Sequence, residues 1–291
     1  MTKSIFETLE LLGIAGPDTR EEYAAETRDV KPLRVCRDSA SGVIYIDGYY
    51  TGDETYKKGD YRQETVRRSG EPSYEQHADA TRRANAFRRY YSGRKIADFG
   101  CGLGEFLRLV QKETSSCVGI ELQEDAVDAL RAAGISCETS IDALEDGALD
   151  ALFSFHVLEH LPDPLDILAQ LKPKLKDGGH AVFEVPHARD FLLDYVDSEP
   201  FRKFTLWSQH LVLHTRDSLK RMLEHAGFHD VVVTGVQRYP LSNHMLWMTS
   251  GRPGGHKSKF AAIDTPELTA AYEAALDRID ATDTLIAVAR K

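Results

Sequence analysis

Ile96-Ala97-Asp98-Phe99-Gly100-Cys101-Gly102-Leu103-Gly104-Glu105-Phe106-Leu107 is the stretch on which the fold turns. Ile96 to Phe99 reads as a short buried strand. Three glycines spaced two apart follow, and then a helical pattern with Phe106, Leu107, Leu109 and Val110 on its apolar side. A strand, a glycine turn and a helix bring backbone N–H groups and a helix N-terminus up to an anionic group. Glycine is needed where a Cβ would block close approach or forbid the backbone angles. The dinucleotide fingerprint puts a third glycine three residues after the second; Glu105 stands there, and Gly104 sits one earlier. The next strand, Cys117-Val118-Gly119-Ile120-Glu121, ends in a carboxylate about 20 residues past the turn, where an acid accepts the ribose hydroxyls of a nucleoside.

Outward from this stretch, strands and helices alternate. Residues 73–91 are helical, with Ala78, Ala80, Ala84 and Phe87 on one side. After Glu121 come a helix over 123–133, a short strand at 135–138 and the apolar run 149–155, a buried parallel strand. A helix at 165–172 stops at Pro173. Asp177-Gly178-Gly179-His180 is a turn, residues 181–185 are a strand ended by Pro186, residues 216–226 are a helix closed by Gly227, and 229–233 are a strand. The alternation predicts an α/β fold, an open sheet with helices on both faces. Residues 236–283 interrupt it with a Pro/Gly-rich patch and a helix near 266–279, and 284–289 form a closing strand. Toward the N-terminus, 3–12 is a short amphipathic helix, 16–32 a polar loop, and 33–36 with 42–46 a hairpin. Tyr49, Tyr50, Tyr56 and Tyr61 read equally as a lid over a substrate or as a surface segment packed by its own aromatics. The chain thus divides into an N-terminal extension (1–72), a core (73–235), an insertion (236–283) and a last core strand (284–291).

The chain has 291 residues, 42% of them hydrophobic and 28% charged, an ordinary globular composition for one large domain with extensions. A formal charge of −10 argues against a nucleic-acid surface, which needs clustered Lys and Arg. The local basic run Arg82, Arg83, Arg88 and Arg89 does not reverse this. Cys36, Cys101, Cys117 and Cys137 form no CxxC pair and read as reduced thiols of a cytoplasmic protein. The N-terminus lacks the apolar core of a signal peptide, and no stretch approaches the ~20 apolar residues of a membrane span. The expected partner is a small-molecule acceptor, with no nucleic acid and no membrane, and the protein a monomer or homodimer.

Gly-x-Gly-x-Gly led by Asp98 resembles motif I of the class I S-adenosylmethionine (SAM) methyltransferases. Phe155-His156-Val157-Leu158-Glu159-His160-Leu161-Pro162-Asp163-Pro164 resembles the motif after the fourth strand of that fold, and Leu171 to Gly179 the motif before the fifth. The resemblance covers about residues 94–235 plus the final strand. It implies a Rossmann-like seven-stranded sheet with its last strand antiparallel, and SAM as the cofactor. Asp98, Gly100 and Gly102 would line the methionine part of SAM. Glu121 would hold the ribose, Leu122 would lie beside the adenine, and Phe155 and His156 would border the sulfonium and methyl. Ser140, Ile141 and Asp142 are candidates for the adenine edge, with Ile141 the one assigned.

Methyl transfer from a sulfonium is an in-line displacement in which alignment contributes up to roughly 7–11 kcal/mol. A hydroxyl nucleophile adds the need for a base, worth roughly 10²–10⁴-fold. His156 is the first candidate, with ring packing against SAM the competing role. Glu159 and His160 follow, and then His210 and His214 in Trp207-Ser208-Gln209-His210-Leu211-Val212-Leu213-His214. No metal ligand is assigned. The alternative is a divalent metal on the Glu159–His160 pair, which resembles ubiquinone-pathway O-methyltransferases; those carry an acid where this chain has His156. Residues 239–257 resemble a segment of methyltransferases that modify bacterial surface polysaccharides and sugars, which implies a hydroxyl of a sugar or sugar phosphate as acceptor. An NAD-type oxidoreductase and a non-catalytic SAM-binding protein are the other readings.

Overall fold

The computed structural model describes residues 4–52 and 74–291. Its strands are β1 (Arg20–Ala24), β2 (Val35–Asp38), β3 (Ile44–Tyr45), β4 (Lys95–Phe99), β5 (Ser116–Ile120), β6 (Ser136–Glu138), β7 (Leu149–Phe155), β8 (Leu175–Pro186), β9 (Val212–Leu213), β10 (His229–Val236) and β11 (Thr284–Arg290). The helices are α1 (Ile5–Leu11), α2 (Tyr74–Tyr91), α3 (Glu105–Val110), α4 (Glu124–Ala132), α5 (Pro164–Leu171), α6 (Phe191–Asp194), α7 (Glu199–Thr205), α8 (Arg216–His225), α9 (Leu241–Ser250) and α10 (Pro266–Arg278).

Seven strands form one sheet in the order β10-β11-β8-β7-β4-β5-β6. β4 lies between β5 and β7 and is parallel to both, and β8 is parallel to β7. β11 slots antiparallel between β8 and β10, as the resemblance implies. Successive side chains of a strand point to opposite faces, and the two cores divide accordingly. Ala97, Leu152, Phe183 and Leu285 pack under α5 and α8, with Leu168, Leu171, Leu219 and Leu223. Ile96, Phe153, Val182 and Ile286 pack under α2, α3 and α4, with Phe87, Phe106, Leu107, Val127 and Leu130. The chain adds β5 and β6 on one side of β4 and then β7 and β8 on the other, so a crevice opens at the carboxyl ends of the strands, where ligands of such sheets bind.

A second sheet of four antiparallel strands, β1-β2-β3-β9, stands beside the first. The hairpin expected over 33–46 is β2 and β3. The polar stretch 16–32, expected to be loop, contains β1; Arg20-Glu21-Glu22-Tyr23-Ala24 is an edge strand whose partly exposed side chains hide the pairing that its backbone makes with β2. The turn expected at 177–180 lies inside β8, where the register with β7 slips between Leu149 and Ala151 and Gly178 takes a positive φ of 74°. The helices α6 and α7, in a stretch where no element was expected, follow β8. Tyr56 and Tyr61 of the tyrosine-rich segment fall outside the described residues. No helix among the described residues is long and apolar enough to cross a membrane.

Gly119 shows how tightly the centre is filled. A Cβ there would lie 2.5 Å from Cys101 Sγ, 3.1 Å from Cys137 Sγ and 3.3 Å from Leu107 Cδ1. Overpacking a close-packed core costs about 1–3 kcal/mol. Gly119→Ala should therefore lower stability by about 2 kcal/mol in thermal or urea denaturation, and adding Cys101→Ala should restore part of the loss.

Candidate active site

The glycine turn sits at the carboxyl end of β4. Gly100, Gly102 and Gly104 have φ of 74°, 59° and 72°, a region that side chains disfavour. At Gly100 a Cβ would also lie 2.4 Å from Val157 Cγ2. The turn N–H groups do not all point at an external anion. Gly102 N–H donates to Glu121 Oε2 at 2.8 Å, and Leu122 and Gln123 N–H donate to Oε1 at 2.8 and 3.2 Å. Glu121 is buried and tied to the turn one strand away. A cleft of about 360 Å³ opens here, lined by Gly100, Glu121, Leu122, Ile141, His156 and Val157 among others. Leu122 stays largely exposed on its rim while Ile141 is buried.

Asp98 is buried at the end of β4. Burial pushes its carboxyl up to about 8, with Arg83 opposing and Glu105 and Glu121 adding to the rise. Glu105 opens α3, and its Oε1 is buried with no hydrogen-bond partner. Two carboxyl groups, neither in an ion pair among the described residues, thus flank the turn.

His156 follows β7 directly. Its N–H donates to Glu184 O at 2.8 Å, and its φ is 57°, left-handed for a residue with a Cβ, a conformation costing about 1–3 kcal/mol unless the surroundings enforce it. Nδ1 lies 3.1 Å from Glu159 Oε1. Nε2 lies 3.1 Å from Glu184 Oε1, off the direction of a hydrogen bond, and has no bonded partner. Both carboxylates are fully buried. Burial and Arg238 oppose a charged ring, but Glu159 and Glu184 outweigh them and raise the His156 pKa. Glu159 is held down at about 2, its burial outweighed by His156. Phe155 lies below, stacked on Phe87 with centroids 6.0 Å apart and covered by the Arg83 guanidinium at 4.4 Å.

The other candidates separate. His160 lines the cleft and bonds Gln209 O through Nδ1 at 2.9 Å; its ring meets that of His210 at 5.0 Å. Burial and then His160 hold His210 at about 3, neutral. Glu159, His160 and His210 bring their ligand atoms within 4.8 Å of one another, and Glu159 Oε2 is buried without a hydrogen-bond partner. His214 is fully buried on Ser218, Nδ1 to Oγ 2.9 Å, and does not line the cleft.

Sequence reading passed over the ion network behind His156. Glu184 accepts from Arg82 Nη2 at 2.9 and 3.0 Å and from Arg83 at 2.6 and 3.3 Å; Arg82 also meets Asp79 at 3.2 Å, and Arg238 clamps Asp79 through Nε and Nη2. Burial opposes ionisation of Glu184, yet the two arginines and His156 hold it well below the usual carboxylate range. The signal was a charge inside Ala181-Val182-Phe183-Glu184-Val185, since Glu is almost never fully buried unless paired.

A family model described as a methyltransferase domain matches residues 73–233. Ubiquinone biosynthesis O-methyltransferases are similar to about half of the chain. That of Aliivibrio fischeri is 23% identical over 167 residues, 52% of this chain and 70% of that protein; that of Thiobacillus denitrificans is 28% identical over 165 residues, 52% and 71%. The crystal structure of a SAM-dependent methyltransferase from Archaeoglobus fulgidus shares the fold with a TM-score of 0.52 at 20% identity, over 74% of this chain and 94% of that one.

The cation of SAM fits these groups: Asp98 and Glu105 would take its methionine ammonium, and Glu121 its ribose. The folded Asp98 carboxyl binds its proton up to about pH 8, so pairing with a cation must release it. SAM affinity should therefore rise with pH from 6 to 8 and level off above. Calorimetry in buffers of different ionisation enthalpy should show up to one proton released per SAM near pH 7 and none for Asp98→Asn, with affinity at least tenfold weaker. Because the folded state holds a proton that the unfolded chain has lost above about pH 4, Asp98 should also make unfolding easier as pH climbs from 4 to 8.

Proposed function

Because the chain belongs to the class I SAM-dependent methyltransferases, we propose that it transfers the methyl group to a hydroxyl of a small molecule, a sugar or sugar phosphate. The observation that carries this is the His156 ring lining the cleft, with Nε2 buried and without a hydrogen-bond partner and both nitrogens beside buried carboxylates. SAM supplies a sulfonium, so its leaving group is already activated. What remains for the protein is to align the acceptor, a term of up to roughly 7–11 kcal/mol in well-oriented systems, and to accept a proton. In its neutral form His156 would take the acceptor's hydroxyl proton on Nε2. Glu159 and Glu184 stabilise the imidazolium that results. His156→Ala should lower kcat by about 10²-fold or more while S-adenosylhomocysteine (SAH) affinity, read by calorimetry, stays within about threefold; unchanged kcat would return His156 to a packing role.

A second reading rests on Glu159, His160 and His210. One carboxylate and two imidazoles suit zinc with an open position, and the unbonded Glu159 Oε2 gives the ion a ligand atom in the cluster. Zinc there would polarise the acceptor hydroxyl and lower its pKa. Chelation should then abolish turnover, zinc should restore it, and His210→Ala should lose zinc in a calorimetric titration. Turnover indifferent to chelation leaves the base mechanism alone.

A further inference from the structure

A cavity of about 610 Å³ lies between α2 and the 236–283 segment, within the range of small-molecule sites. It opens at the edge of the sheet that carries the active site. β10 and β8 are both antiparallel to β11 and hence parallel to each other, so Arg238, two residues past β10, emerges on the same side as His156. Asp79 and Arg238 line the cavity. From Asp79 the contacts run to Arg82 at 3.2 Å, to Glu184 at 2.9 Å and to His156 Nε2 at 3.1 Å. One wall of the cavity is therefore joined by three buried or half-buried ion contacts to the ring at the cleft.

The lining groups decide what fits. Among the described lining residues Arg238 is the one guanidinium, and its Nε and Nη2 are spent on Asp79. Glu75 is met by His256 and Lys257 at 3.3 and 2.6 Å, and Asp264 accepts from Ser242. Glu273 accepts the Gln237 N–H at 3.2 Å and makes no ion pair among the described residues. Burial raises its carboxyl, with the Gln237 N–H and Arg82 opposing and Asp283 adding to the rise. A half-buried carboxylate outside any ion pair gains by pairing with a cation, and among the described lining residues the carboxylates Glu75, Asp79, Asp264 and Glu273 outnumber Arg238 and His256, a balance that favours a cationic ligand over a phosphate.

Resting on the function proposed above, we propose that this cavity is the acceptor's chamber and that it selects an acceptor carrying a positively charged amine, seated against Glu273, over a phosphorylated one. The ion network then sets the chamber wall and the His156 ring in one frame.

The test supplies wild-type enzyme with methyl-tritiated SAM and a low-molecular-mass extract of the cells that make it, then fractionates the labelled product by ion exchange at pH 7. Retention on a cation exchanger is expected; retention on an anion exchanger overturns the amine. Ala78→Trp and Ala270→Trp fill the chamber from opposite helices and should cut incorporation more than tenfold with SAH affinity within twofold; full incorporation by both overturns the chamber. Glu273→Gln should raise KM for the isolated acceptor at least tenfold and leave kcat within threefold; an unchanged KM removes Glu273. Wild-type protein that binds SAH but labels nothing refutes the proposed function itself, and the chamber with it.

Discussion

A carboxylate in the middle of an apolar strand governs how this molecule is put together. Glu184 is fully buried in β8. Stripping a carboxylate of water costs several kcal/mol even after relaxation, and removing one partner of such a pair typically costs about 3–5 kcal/mol. The side chain therefore has to be met by cations with good geometry. Arg82 and Arg83 come from α2, which fixes where that helix lies against the sheet. Phe87, one turn further along α2, is buried under the same helix, beside Phe153 and Phe155. The buried ion cluster and the aromatic cluster thus specify the same docking of one helix.

The same residue reaches the site through two contacts of different kinds. The Glu184 carbonyl accepts from the His156 backbone, continuing the parallel ladder of β7 and β8 one residue past its end. The Glu184 carboxylate faces the His156 ring. A left-handed backbone at a residue with a Cβ persists only where its surroundings over-determine it, and here the ladder, Glu159 and Glu184 all act on one residue. The strain is local, and the sheet beneath absorbs it. Rigid strands supply the positions, and the residues just beyond their carboxyl ends supply the chemistry.

Much of this was legible in the sequence because it rests on local pattern. The strand–turn–helix at 96–107, the apolar run at 149–155 and the closing strand at 284–289 each announce themselves by period and punctuation. Glu121 stands at the carboxyl end of an apolar strand, a position that the sequence pattern shows without any long-range contact. What stayed hidden depends on contacts between distant residues. Nothing local to Arg82 and Arg83 shows that they face Glu184 a hundred positions on; a basic run on a helix is normally solvated. β1 was hidden because an edge strand need not alternate cleanly when only its backbone is paired. His214 lay in the right segment but turns into the interior against Ser218, an orientation that spacing alone does not reveal.

The glycine turn illustrates how a motif can be recognised while its electrostatics are misjudged. Strand, glycines and helix suggest an anion site, as in folds that hold a pyrophosphate. Here α3 has only six residues, and the Gly102 N–H is used on Glu121. Asp98, Glu105 and Glu121 crowd the turn closely enough for the last two to raise the first. A pyrophosphate brought to that place would meet Asp98 and Glu105 beside the turn, and like charges at a few ångströms repel strongly where water is excluded. A ligand with a positive sulfur and an ammonium relieves the same crowding. The choice between the two nucleoside cofactors that this architecture admits therefore follows from the sign of the charge around the turn, which the glycines themselves do not carry.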